Sequence, residues 1–223
     1  MKSTTRILGT VGMTLFAACA THAQSWTDNL YVHTDIGPAF LGNGPTLFRG
    51  ESNSGGFFFA GREHFQADTG IRGDLSLGYN LTKSFAIEVE SGAIWNPGPN
   101  PDDSFYQIPA MLNVMYHFQL NDSWRVYLGA GAGGVVSITH SLFHDPALSR
   151  PFSLDDSDWS VGYQAQAGIK YALTPHVELD LGYKFLGIDE YNYHFGRQGV
   201  FVENLRVNDL FTHSAQLSLT WKF

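Results

Sequence analysis

The chain has 223 residues, of which 43% are apolar, 14% aromatic and 15% charged, with 24 glycines. That composition excludes a disordered chain and favours an all-β one, because aromatics suit a pleated surface and glycine marks turns and bends. The formal net charge of −8, without a basic patch, excludes a nucleic-acid surface.

In chain order, Lys2 and Arg6 precede an apolar or small run from Ile7 to Ala20. Thr21-His22-Ala23 then offers a small-x-small cleavage site, so residues 1–23 are expected to be a signal peptide. The run is too short to span a membrane comfortably. A lipoprotein signal ending at Cys19 is the alternative, but Phe16 stands where an aliphatic residue is usual. Cleavage after Ala23 removes two bases and the single cysteine. It leaves 13 − 2 = 11 bases against 21 acids and no disulfide. Beyond residue 23 no apolar stretch approaches the roughly 20 residues of a membrane helix. Residues 24–223 are therefore either a soluble periplasmic domain or a β-barrel.

The hydrophobic period over most of this stretch is 2. Leu30, Val32 and Ile36 alternate with Tyr31, His33 and Asp35. Ile71, Leu75, Leu77 and Tyr79 alternate with Arg72, Asp74, Ser76 and Gly78, and Phe85, Ile87, Val89 and Ala93 with Glu88, Glu90 and Gly92. From Tyr106 to Phe118 the even positions carry Tyr, Ile, Ala, Leu, Val, Tyr and Phe, and the odd ones Gln, Pro, Met, Asn, Met and His. Further segments repeat the pattern near 124–137, 159–171, 177–185 and 213–223. A strand places each set on its own face, so eight strands are expected.

Three connections are short and polar, at 80–84, 120–123 and 173–176. The others, at about 41–64, 96–104, 140–158 and 186–211, are expected to be mostly long and irregular. Long and short alternate strictly, as in an outer-membrane barrel with short periplasmic turns and longer external loops. The turns share a weak repeat, Leu77-Gly-Tyr-Asn-Leu-Thr-Lys-Ser-Phe85, Tyr116-His-Phe-Gln-Leu-Asn-Asp-Ser-Trp124 and Lys170-Tyr-Ala-Leu-Thr-Pro-His-Val177. Tyr79, Phe85, Tyr116, Phe118, Trp124, Tyr171, Trp221 and Phe223 are the expected aromatic girdle at that end. Trp95, Phe105, Tyr106 and Trp159 are candidates for the opposite rim.

The ending Leu217-Ser-Leu-Thr-Trp-Lys-Phe223 resembles the last strand of bacterial outer-membrane proteins. With Leu-Gly-Tyr at 77–79 and 181–183, residues 24–223 resemble the OmpA/OmpX-like family of small outer-membrane β-barrels. The resemblance implies an eight-stranded antiparallel up-and-down transmembrane barrel in the bacterial outer membrane. It also implies lipid surroundings, a terminal Phe read by the barrel-assembly machinery, and a monomer. Its members differ in activity, so it assigns none.

The inward face gathers both signs of charge: Asp35, Arg72, Asp74, Glu88, Glu90, Arg125, Lys170, Glu178, Asp180, Lys184 and Lys222. An eight-stranded barrel has room only for side chains, so these groups must pair. They are expected to form a structural ion-paired plug, with a gate as the alternative, and Glu88 and Glu90 are the expected partners of Arg125. No catalytic residue, metal ligand or cofactor is expected. His140, His144 and Asp145 have metal-like spacing only if helical, and otherwise belong to a solvated loop. Gly129, Gly131, Gly133 and Gly134 lack the Lys-Ser/Thr of a phosphate loop and are expected to make room for bulky inward neighbours or to let the strand bend. His213-Ser214 is reminiscent of the outer-membrane lipid A deacylases, yet neighbours on a strand point apart. The expected function is a non-enzymatic barrel serving envelope structure, surface interaction or narrow passage; a lipid-modifying enzyme is the alternative.

Overall fold

The computed structural model describes residues 29–42, 45–52, 58–64, 67–98, 103–143, 152–197 and 201–223. The expectations for residues 1–28, and for His144 and Asp145, lie outside them.

Among the described residues there are ten strands: β1 (Leu30–Leu41), β2 (Pro45–Ser52), β3 (Phe58–His64), β4 (Gly70–Asn80), β5 (Phe85–Pro97), β6 (Ser104–Gln119), β7 (Trp124–Phe143), β8 (Phe152–Ala172), β9 (Val177–Arg197) and β10 (Phe201–Lys222). Each of β4 to β9 pairs antiparallel with the next. β1 pairs with both β4 and β10, which closes an eight-stranded barrel. The remaining two, β2 and β3, form a hairpin laid against the outer part of β10, from Phe201↔Ser52 to Val207↔Thr46.

The alternation found in the sequence is the alternation of the wall. On β6 the odd residues from Phe105 to His117 are buried, while Tyr106, Ile108, Leu112, Val114 and Phe118 are exposed. Leu112, Val89, Leu181 and Leu217 expose more than half their surface, which only a hydrocarbon surround makes favourable.

The three short connections share one construction. Thr82 Oγ1 accepts the N–H groups of Ser84 and Phe85, Asn121 Oδ1 those of Ser123 and Trp124, and Thr174 Oγ1 those of His176 and Val177. A side-chain oxygen thus replaces the ladder where the chain reverses. This is the physical content of the repeat. The aromatics around these turns lie on the outer surface: Phe85 meets Tyr116 at 4.7 Å, Tyr116 meets Phe118 at 4.4 Å, and Trp124 meets Tyr171 at 4.7 Å. Trp221 and Phe223 are half exposed at the same end, and Tyr79 is partly buried there.

Two expectations need correction. Much of the long connections is strand. The hairpin β2–β3 occupies most of 41–64, β7 and β8 remain paired out to Phe143↔Phe152, and β9 and β10 out to Arg197↔Phe201. Strands of 20, 21 and 22 residues are about twice what a bilayer needs, so β7 to β10 continue beyond the membrane. The pairing of β8 with β9 stops at Gly162↔Ile188, and above that point the wall divides into the β7–β8 hairpin and a β9–β10–β2–β3 ribbon. Phe105 is 3% exposed and faces the lumen, so it leaves the rim to Trp95, Tyr106 and Trp159.

Leu112 sits midway along β6 against lipid, so Leu112→Arg is expected to cost about 2–4 kcal/mol and Leu112→Ala much less. Denaturant unfolding of the refolded barrel in phospholipid measures both, and equal costs would take Leu112 off the lipid face.

Candidate functional site: the filled lumen

The lumen is filled in layers. At its centre Lys184, from β9, places Nζ 2.6 Å from Asp35 Oδ2, 2.9 Å from Asp74 Oδ2 and 2.9 Å from Glu90 Oε2. Arg72 lies beside it, with Nε donating to Asp74 at 2.6 Å and Nη2 to Glu90 at 3.0 Å and to Gln164 at 2.7 Å. All five ionic side chains are at most 2% exposed. Gln164 and Asn113 add neutral donors to Glu90, at 2.9 and 3.4 Å. Three carboxylates thus face two cations, and the amides add contacts to Glu90 alone. Asp35, Asp74 and Glu90 approach one another as metal ligands do, but the Lys184 ammonium stands in the position a metal ion would take.

Toward the short turns lies a second charged layer. Tyr31 donates to Glu88 at 2.6 Å and Tyr127 to Asp180 at 3.2 Å. Lys170 is 3.7 Å from Asp180 and lies over the ring of Tyr127, 5.1 Å from its centroid. Arg125 and Lys222 both contact Glu178. The expected partnership of Arg125 with Glu88 or Glu90 is therefore incorrect: Glu88 is held by Tyr31, and Glu90 by Arg72 and Lys184. Arg125 and Glu178 each occupy the second position of a strand leaving the same rim, and that shared height brings them together.

Toward the outer end many inward side chains are apolar, beside buried polar ones such as Asn96, Gln107 and Thr212. Ala39, Leu41, Ile94, Phe105, Met111, Val135, Leu186, Ile188, Tyr191 and Leu210 form one buried cluster. The sequence reading missed this layer, because these residues break the apolar-out, polar-in rule on which it rested. Their signal was the apolar residue at an inward position near an outer strand end, as at Leu41 and Ile94. Gly129 and Gly131 pair with Met115 and Asn113 on β6, whose side chains occupy the space a Cβ would need. Asn113, next to the lipid-facing Leu112, is fully buried between Glu90 and Gln164.

On the outer surface, His213 Nδ1 contacts the Tyr183 hydroxyl at 2.5 Å, whereas Ser214 is 1% exposed in the lumen. The two lie on opposite faces of the wall. His140 lies in β7, in register with Asp155 and Ser104, so the strand replaces the helix that a metal-binding H-x3-H would need.

The sequence matches the outer membrane protein beta-barrel domain family over residues 9–223, and the chain belongs to that family; it is a bacterial outer-membrane protein. Similar proteins include an opacity protein of Neisseria gonorrhoeae, 28% identical over 145 residues, 54% of each chain. The chain thus spans about half the length of the curated relatives it matches. Among solved structures, neisserial surface protein A is 18% identical with a TM-score of 0.52, over 87% of this chain and 97% of that one. Pseudomonas aeruginosa OprG is 12% identical with a TM-score of 0.53, over 91% and 100%. The Escherichia coli outer membrane protease OmpT, at 9% identity, has a TM-score of 0.51 over 92% and 99%. These three likenesses concern the fold.

Removing Lys184 leaves three buried carboxylates facing one arginine. Lys184→Met is expected to destabilise the barrel by about 3–5 kcal/mol, and adding Asp35→Asn to recover part of that. Arg125→Ala is expected to cost clearly less, since Lys222 remains on Glu178. Equilibrium unfolding of the three variants measures the order, and a larger loss for Arg125→Ala than for Lys184→Met would refute it.

Proposed function

We propose that this chain is a non-enzymatic, closed outer-membrane barrel that works at the cell surface through its outer β-hairpins. The carrying observation is the double plug, with the apolar layer from Leu41 to Leu210 above the Lys184–Arg72 network. A polar solute crossing the lumen would have to part five paired charges and then a largely apolar layer, and both steps oppose passage. Material invested outside the bilayer points the other way. The hairpins β2–β3, β7–β8 and β9–β10 rise on one end as paired strands, and paired strands present a defined surface. The likeness to opacity proteins is consistent with a surface role.

In this reading the barrel acts as a monomer held by outer-membrane lipid, inserted by the barrel-assembly machinery through its terminal strand. It takes no cofactor and no nucleic acid. The refolded protein in planar bilayers is expected to give no single-channel steps, and to release no fatty acid from lipid A. Cells displaying it are expected to gain adhesion to a protein- or glycan-coated surface, and to lose it when residues 43–64 are replaced by a short turn while the unboiled barrel keeps its anomalous gel migration. Steady conductance would overturn the closed lumen; adhesion indifferent to the hairpins would overturn the surface role.

A further inference from the structure

The periplasmic mouth of the lumen carries a cluster that the central network does not use. A narrow recess opens there, lined by Arg125, Lys170, Lys222, Glu178, His117 and Tyr31 among others. Its lining holds three cations and one carboxylate. Arg125 and Lys222 converge on the same oxygen of Glu178, so one carboxylate serves two cations.

Lys170 lies deeper, with a side chain 3% exposed. Its nearest polar contacts are Thr220 Oγ1 at 3.4 Å and Asp180 Oδ2 at 3.7 Å. An ammonium carries three donors, and its contacts to a carboxylate ordinarily fall near 2.7–2.9 Å. The faces of the Tyr127 and Tyr31 rings make up much of its remaining surroundings. His117 is 6% exposed, and its Nδ1 has no partner. Glu88 and Asp180 lie behind this lining, where they accept from Tyr31 and Tyr127.

We propose that this recess binds a small oxyanion of the phosphate class from the periplasmic side. The donors stand on several walls, β6, β7, β8 and β10, and a tetrahedral oxyanion offers an acceptor to each, which a single carboxylate oxygen does not. Lys170 supplies the buried charge, His117 donates from Nδ1, and Arg125 and Lys222 turn from Glu178 to close over the ion. The ligand is either free phosphate or the phosphomonoester headgroup of a lipid in the periplasmic leaflet.

The test uses the full-length barrel refolded in a phosphate-free detergent, titrated by calorimetry with inorganic phosphate in a chloride background and, separately, with dihexanoyl phosphatidic acid. Saturable binding of either is expected, weakened at least tenfold by Lys170→Met and by Arg125→Gln, and unchanged in Lys83→Gln, an exposed turn lysine at the same end. Anomalous gel migration of unboiled samples confirms folding, and Arg125→Gln, whose side chain is 19% exposed at the mouth, carries the test if Lys170→Met does not fold. Binding of inorganic phosphate identifies the free ion as ligand, and binding of phosphatidic acid alone identifies the headgroup. If neither binds, if binding survives Arg125→Gln in folded protein, or if Lys83→Gln weakens it equally, the proposal is overturned.

Discussion

An eight-stranded barrel is so narrow that every inward side chain touches another from across the lumen, and most of this structure follows from meeting that constraint. The central ammonium of Lys184 reaches carboxylates from β1, β4 and β5 at once. It is therefore a brace between walls that the backbone ladder joins only in sequence around the circumference. Its contacts also specify register. A shift of β9 by one residue would turn Lys184 to lipid and strand three buried charges, a far larger loss than the ladder bonds could restore.

The outer wall answers to a different solvent. Hydrocarbon cannot hydrogen-bond the backbone, so the sheet must close on itself and carry apolar residues outward. The three short turns end the ladder with a side-chain oxygen at Thr82, Asn121 and Thr174, and aromatics gather beside them. Closure, lipid-facing residues and capped turns are three consequences of one surround.

That surround also decides how much could be read from the sequence. Where a strand separates lipid from lumen, contrast between its faces writes a period of 2, and the facing of Leu112, Glu90 or Lys184 is legible residue by residue. The sequences of β2 and β3 carry no such alternation, so paired strand there passes for irregular loop. Pairing across the lumen was legible only in part. Arg125 was matched to Glu88 and Glu90 by sign, but height above the rim selects the partner. Arg125 and Glu178 are each one residue beyond the first of their strands, whereas Glu88 and Glu90 stand fourth and sixth in β5. Counting from the turn would have found the pair. The apolar layer of Ile94, Leu186 and Leu210 stayed hidden because it places lipid-like residues on the side assigned to water.

The same geometry bears on chemistry at the outer surface. Acyl transfer needs a nucleophile and a base within hydrogen-bond reach. On a β wall the residues sharing a face with position 213 are 211 and 215 on its own strand and the cross-strand partners Phe40 and Phe185. Around His213 these are Phe211, Ala215, Phe40 and Phe185, and the hydroxyl it reaches belongs to Tyr183. Phe185 stacks within 5.5 Å of Phe211 and lies 5.3 Å from His213. A histidine joined to a phenol in an aromatic patch keeps its polar nitrogen satisfied while presenting rings to lipid, which is how amphipathic rings hold a wall at a membrane interface. Ser214, the residue that would make the patch a hydrolase, is on the other side of the wall.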